Sequence, residues 1–258
     1  MSQLFIEERG QEHHQTIIFL HATGASGHMW HHHLAVLERY FHCLAIDLPG
    51  HGRSREIEWT NFEDITENIV DIINKKSHGK PHLVGLSLGG SLILKLLESH
   101  SHLVDKVIID GASHQPIKGY RIMVIMVGLM SLLKNTAFIE KLLTKMMEKD
   151  GVSSQEIQSF LADMRAASSK FFRRAMTQAN LLRAKPIFQS PALFLSGGKE
   201  SPSIHASHQT LAKENPDSEC AYYPDKGHAW LFSDAPTHIE AVQYFLQGKT
   251  FPEKLKGF

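Results

Sequence analysis

Six short apolar runs, none longer than six residues, recur along the chain with helix-patterned stretches between them. They are residues 16–21 (TIIFLH), 42–47 (HCLAID), 82–86 (HLVGL), 106–110 (KVIID), 192–196 (ALFLS) and 220–223 (CAYY). The runs are continuous rather than alternating, which is the pattern of strands buried on both faces of a parallel sheet. Between them, residues 62–75 place Ile65, Ile69, Ile72 and Ile73 on one helical face. Residues 30–40, 88–100, 207–213 and 236–247 also read as helices. Strand and helix in alternation predict an α/β fold: a mostly parallel, doubly wound sheet of about seven to eight strands. Residues 4–8 are expected to add an antiparallel strand at the front edge.

The alternation breaks between Asp110 and Pro191. Residues 119–133, 138–149, 154–168 and 171–182 have helical spacing, and no strand pattern interrupts them. Ser153 stands three residues before Glu156, the spacing of a capping box. The expected organisation is a core made of residues 1–111 and 191–258, with residues 112–190 as a helical insertion.

Composition narrows the function classes. With 258 residues, 42% hydrophobic and 21% charged, the chain is an ordinary globular sequence able to bury a sizeable core. Lys+Arg and Asp+Glu are both 27, so no basic excess points to nucleic acid. Cys43 and Cys220 are too few for a disulfide framework and read as buried free thiols in a reducing compartment. Residues 1–10 lack a signal-peptide pattern. The longest apolar stretch, residues 122–133, falls short of the roughly twenty residues that span a bilayer. The expectation is a soluble, cytoplasmic protein with a small-molecule substrate, no membrane span, and an oligomeric state the sequence does not define.

The sharpest chemical feature is Gly85-Leu86-Ser87-Leu88-Gly89, followed by Gly90, at the junction of a strand and a helix. In that G-x-S-x-G setting the serine sits on a very tight turn with its hydroxyl lifted over the sheet. Side chains at positions 85 and 89 would collide there, hence the glycines. A nucleophilic serine needs a base. Of 18 histidines, position selects His228, which follows the last strand-like run and precedes the last helix. That loop lies at the carboxyl edge of the sheet, where Ser87 also lies.

The whole pattern resembles the α/β-hydrolase superfamily. His21-Ala22-Thr23-Gly24, with Trp30 beyond, is similar to the family's HG-x-G loop, with Ala22 where glycine is usual. Asp47-Leu48-Pro49-Gly50-His51-Gly52-Arg53-Ser54 resembles its D-x-x-G-x-G-x-S stretch, and Gly227-His228 its histidine loop. The resemblance implies that the helical insertion is a cap. It implies a triad of Ser87, His228 and an acid. Glu200, 28 residues before the histidine, stands in the slot where the family usually has Asp, and Asp110 at the end of the preceding strand is the alternative. Asp225 reads as a turn residue. By the same mapping, the backbone N–H groups of Thr23 and Leu88 are the expected oxyanion donors.

Other features have plainer readings. His31, His32 and His33 are consecutive on a predicted helix, so their side chains should diverge and form a solvated helix start rather than a metal site. His205 and His208 share a helix face but lack a partner with metal-site spacing. His21 and His51 read as structural. No metal and no cofactor is expected. Met123, Met126 and Met130, with Met146 and Met147, are either a flexible acyl-binding wall or the packed face of helices.

Together these features predict a serine hydrolase that cleaves a small to medium, apolar ester or thioester through an acyl-enzyme. Ser87 argues against the carboxylate-nucleophile dehalogenases and epoxide hydrolases of the superfamily. Acyltransferase, lactonase, perhydrolase, C–C hydrolase and lyase chemistry stay open on the same residues. So does a ligand-binding or signalling protein of slow turnover.

Overall fold

The computed structural model describes residues 3–186 and 188–258. Each of the six apolar runs forms a strand, and two short edge strands complete one sheet. The strands are β1 (Ile6–Arg9), β2 (Thr16–Leu20), β3 (His42–Ile46), β4 (His82–Leu86), β5 (Val107–Asp110), β6 (Ala192–Gly197), β7 (Glu219–Tyr223) and β8 (Lys256–Gly257), in the order β1-β3-β2-β4-β5-β6-β7-β8. Neighbours from β3 to β7 pair in parallel; β1 and β8 close the two edges antiparallel. The expected front strand is therefore present, starting two residues later and ending one later than predicted. The two-residue β8 carries no apolar signal and was not legible.

The helices cover both faces. They are α1 (His31–Leu37), α2 (Phe62–Lys76), α3 (Leu88–Ser99), α4 (Tyr120–Leu133), α5 (Ala137–Lys149), α6 (Ser154–Ala166), α7 (Ser169–Asn180), α8 (Pro202–Glu214), α9 (Trp230–Ser233) and α10 (Ala235–Gln247). Strand periodicity divides the core between the two faces. Ile18, Leu20, Leu44 and Ile46 pack with Ile65, Ile69 and Ile73 of α2 and with Leu92 and Leu96 of α3. Their chain neighbours Ile17, Phe19, Cys43 and Ala45 pack on the other face with Leu34 of α1 and Val242 of α10. Cys43 is buried, whereas Cys220, on the penultimate strand, is only half-buried; both are free thiols.

Local signals set the helix ends. Asn61 accepts from the Asp64 amide at 2.8 Å and opens α2, whose first turn carries Glu63 and Asp64 and whose last turn carries Lys75 and Lys76, each favourable to the helix dipole. Helix α8 begins at Pro202, five residues before the predicted start, because Ser201 caps it and proline suits the first helical position. Of the capping box at α6 only half forms. Ser153 Oγ accepts from the Glu156 amide at 3.2 Å, while the Glu156 carboxylate turns away toward His31 and His32.

Four consecutive helices, α4 to α7, fill the connection from β5 to β6, with no strand among the described residues there. Helices α5 and α6 have a small core of their own around Ile139, Met147, Ile157 and Leu161. Ala175 of α7 joins the main core. No single helix among the described residues is long and apolar enough to cross a membrane.

The three consecutive histidines correct the sequence reading. Only His32 is solvated. His33 is fully buried and shares a 2.8 Å hydrogen bond with His238, while His31 and His32 both reach Glu156 on α6. A short three-residue-per-turn segment, residues 27–30, runs into α1, and the His31 and His32 rings lie tilted at 40° with centroids 3.8 Å apart instead of fanning out.

Buried histidine is a general feature here. Burial pushes His21 and His208 down to about 4, and His51 and His238 down to about 3. Their folded pKa values lie below the unfolded value of about 6.5. The stability they contribute is complete above that value and is lost as pH falls through it toward 4 and 3. Asp110 and His228, both raised, act in the opposite sense but are outnumbered. Each uncompensated histidine lowers the unfolding free energy by up to about 1.4 kcal/mol per pH unit below 6.5. Urea midpoints should therefore fall steeply between about pH 7 and pH 5; a flat profile would show that these rings are not held neutral.

Candidate active site

The sheet order reverses at β2, whose neighbours are β3 and β4, so the loops leaving β2 and β4 part to opposite sides and leave a crevice at the carboxyl edge. Ser87 stands there. Its φ of 54° and ψ of −105° make it the one non-glycine residue of positive φ among the described residues. The surrounding backbone imposes this conformation. A Cβ at Gly85 would stand 2.5 Å from the Gly89 carbonyl carbon, and one at Gly89 would overlap the Leu20 carbonyl. The Ser87 amide donates to the Asp110 carbonyl at 2.8 Å, and the Ser87 carbonyl accepts from Ser91 at 2.8 Å as α3 begins. Strand, turn and helix are thus packed backbone against backbone, and the serine side chain is directed out of the bend.

His228 lies on the loop between β7 and α9. Its Nδ1 donates to Glu200 Oε2 at 2.8 Å. Glu200, 1% exposed, follows β6, and its other oxygen accepts from the Gly197 amide at 3.0 Å. The two groups tune each other. Burial opposes charge on the His228 ring, but the Glu200 carboxylate, its hydrogen bond and Asp110 outweigh that and hold the ring above its ordinary value. Burial likewise opposes charge on Glu200, and the His228 ring with the Gly197 amide holds it below.

Asp110 differs. It is 1% exposed, and neither carboxyl oxygen makes a hydrogen bond of good geometry, although the Trp230 indole N–H lies close enough to favour its charge; His238 Nε2 is 3.6 Å away. Burial and the negative Glu200 push it well above the usual carboxylate range. Of the two acids the sequence left open, the geometry brings Glu200 to the imidazole and does not bring Asp110 to it.

The loop sequences around the serine have structural work. His21 Nδ1 donates to the Ala22 carbonyl at 2.8 Å, and its Nε2 accepts from the Leu48 amide at 2.9 Å. Only the neutral ring can do both, so His21 ties the loop after β2 to the loop after β3. Asp47 accepts from the Gly27 and Arg53 amides, each at 2.7 Å, and fixes the same two loops. Gly52, at φ 49°, passes against the Asp47 carboxylate where a side chain would clash. His51 stacks edge-on to His21 and is buried.

Ser87, His228, Glu200 and Thr23 all border one cavity of about 1050 Å³. Its far wall comes from α4 to α7. Met123, Met126 and Met130 line it, whereas Met146 is exposed and Met147 packs inside the α5–α6 core. Leu88, fully buried, is the residue after the serine and does not itself line the cavity. Ile122, Met126, Leu129, Phe138 and Leu142 line it while also being exposed, so the apolar wall continues to its mouth. Sequence reasoning missed Phe160 and Phe232, which pack edge-on at 5.8 Å and border the same space. Phe232 lies one helical turn beyond His228, a spacing that could have signalled it. His205 and His208 bind separate backbone carbonyls, those of Gly197 and Ala112, and do not converge.

Comparison with known proteins agrees with this geometry. The profile of the alpha/beta hydrolase family matches residues 17–239. A Haemophilus influenzae protein that carries the inferred designation esterase/lipase is 26% identical over 242 residues, covering 89% of this chain and 82% of its own. The enol-lactonase of Burkholderia xenovorans superposes with a TM-score of 0.81 at 17% identity, over 95% of this chain and 96% of its own. MenH from S. aureus superposes with a TM-score of 0.77 at 19% identity, over 96% and 99%. At these identities the two structures share the fold.

The His228–Glu200 pair makes a direct prediction. Replacing Glu200 by Gln removes the negative charge that raises this half-exposed ring, so the His228 pKa should fall. An NMR titration of the ring would read this; an unchanged value would mean that another group sets its charge.

Proposed function

Because the chain belongs to the alpha/beta hydrolase family, we propose that it is a serine hydrolase that cleaves small to medium apolar esters or thioesters through an acyl-enzyme. The observation that carries the reading is the Glu200–His228 hydrogen bond in the cavity that Ser87 enters. In this mechanism His228 Nε2 takes the Ser87 proton as the hydroxyl oxygen attacks the substrate carbonyl. The developing oxyanion is held by the amides of Thr23 and Leu88. The Gly89 and Ser91 amides are engaged by the His21 and Ser87 carbonyls, and the Leu88 amide precedes both at the start of α3. The imidazolium then gives its proton to the leaving group, and water activated by the same ring frees the acid. Glu200 fixes the Nδ1–H tautomer and stabilises the imidazolium. Every step uses groups of this chain.

We assign residues 112–190 the role of a cap over the core of residues 1–111 and 191–258. Apolar residues of α4 and α5 dominate the wall, with Lys199 the one basic side chain lining the cavity besides His228 among the described residues. Such a wall favours uncharged acyl groups, with the three methionines adapting to their shape.

Steady-state kinetics test the proposal. Ser87→Ala should abolish turnover of p-nitrophenyl esters. Glu200→Gln should reduce kcat by on the order of 10²–10⁴, the scale of a lost triad acid, while Asp110→Asn should cost far less. Lengthening the acyl chain should raise kcat/KM by up to about fourfold per methylene, the equivalent of roughly 0.8 kcal/mol of burial, until the cavity is filled. Full activity in Ser87→Ala would overturn the mechanism, and a preference for charged acyl groups would overturn the substrate class.

A further inference from the structure

Outside the catalytic cavity, one group of three potential metal ligands stands together among the described residues: His31, His32 and Glu156. His31 and His32 are the first two residues of α1, in the core; Glu156 lies in the first turn of α6, in the segment between β5 and β6. All three donor atoms lie within 4.8 Å of one another. His31 Nε2 is 3.4 Å, and His32 Nε2 3.3 Å, from the same oxygen, Glu156 Oε1. We propose that these three side chains form a zinc-binding clip that joins α6 to α1.

What sets this trio apart is that two imidazoles meet one carboxylate oxygen at nearly equal distances. Elsewhere in the chain single imidazole–carboxylate pairs are either hydrogen-bonded at 2.8–2.9 Å (His228–Glu200, His42–Glu8) or loose at 3.5–3.6 Å, as in His82–Asp105 and His100–Glu67. Separations of 3.3 and 3.4 Å are too long for charge-assisted bonds, which run at about 2.7–2.9 Å. They match the edge of a zinc tetrahedron: bonds of about 2.0–2.1 Å at the tetrahedral angle put neighbouring ligand atoms about 3.3–3.4 Å apart. Two imidazoles, one carboxylate and an open position for water form a familiar zinc donor set.

Proton positions point the same way. His31 Nδ1 lies 3.0 Å from the His28 carbonyl, which can only accept, so Nδ1 carries a proton. With Nδ1 committed to the carbonyl, Nε2 is the ring atom available to a cation beside Glu156. An imidazole whose other nitrogen donates to a backbone carbonyl is the usual outer-shell arrangement of a metal ligand. The His28 ring, stacked on His31 at 4.9 Å, holds that orientation. The two ligand rings, 3.8 Å apart, must open slightly to share an ion, and the outer side of His32, 54% exposed, leaves room for that.

The clip would act on the cavity wall. Further along α6, Asp163 accepts from Ser26 at 2.6 Å, which fastens that part of the helix to the core. Its first turn, carrying Glu156, faces the core through the two histidines. Phe160, one turn after Glu156, borders the same cavity as Ser87. A bound ion would therefore stiffen the wall without touching the reacting groups.

The test is calorimetric titration of chelator-stripped, full-length protein with Zn²⁺. The wild type should bind one ion saturably, and His32→Ala and Glu156→Gln should each weaken that site at least about tenfold. His14→Ala, at a remote surface position, should leave it unchanged. Zinc should raise the Tm of the wild type and not that of Glu156→Gln, and Co²⁺ should give the intense visible bands of a tetrahedral site. Absence of saturable binding in the wild type, or equal binding by wild type and both ligand variants, would overturn the proposal. Esterase activity is not the readout, so this result and the result for Ser87 are independent.

Discussion

The contact between the Leu20 carbonyl and Gly89 is the constraint from which the rest of the site follows. It lets α3 begin directly over the end of β2, one residue after β4 has ended, and so leaves Ser87 no room for an ordinary backbone conformation. Holding a non-glycine residue at φ 54° and ψ −105° costs on the order of 1–3 kcal/mol. The cost is offset by what packs around the bend: Leu88 and Leu92 buried in the core, and the Ser87 amide bonded to Asp110 in the next strand. A serine so placed cannot fold its side chain back onto its own helix as a cap. Its hydroxyl is left to the cavity.

Electrostatics then divide the acids by environment. Glu200 and Asp110 stand near the same imidazole, but Glu200 has the His228 N–H and a backbone amide to stabilise its charge, and Asp110 has neither. One is held below the carboxylate range and the other well above it. Two neighbouring carboxylates driven apart in this way take different roles. Beneath them His238 and His33, bonded to each other and packed on Trp30 and Trp230, are kept neutral by burial. The charge of the site is thereby concentrated on the Glu200–His228 pair.

Much of this was legible in the sequence, for physical reasons. Strands buried on both faces must be continuously apolar, so the runs from Thr16 to Tyr223 were visible without any knowledge of the fold. The glycines at 85 and 89 report a steric collision that is local, and local collisions survive in sequence. The identity of the acid was not local: it depends on which of two strand ends the imidazole faces, and only the register of β5, β6 and β7 decides that. The methionines carried the same ambiguity, because a helix pattern does not say which neighbour covers it. Met123, Met126 and Met130 face the cavity, while Met147 faces another helix. The histidine run misled for a related reason. Angular spacing along a helix separates His31 from His32 by one step, but a tilted ring contact and a glutamate more than a hundred residues away draw them together.

The proposed mechanism requires an activated hydroxyl at the bend. Its most direct measurement is covalent inactivation with a fluorophosphonate followed by peptide mapping of the modified residue. The adduct should fall on Ser87 alone, and its rate of formation should collapse when His228 is replaced by Ala. Modification of a different serine, or labelling of Ser87 at the same rate without His228, would contradict the account.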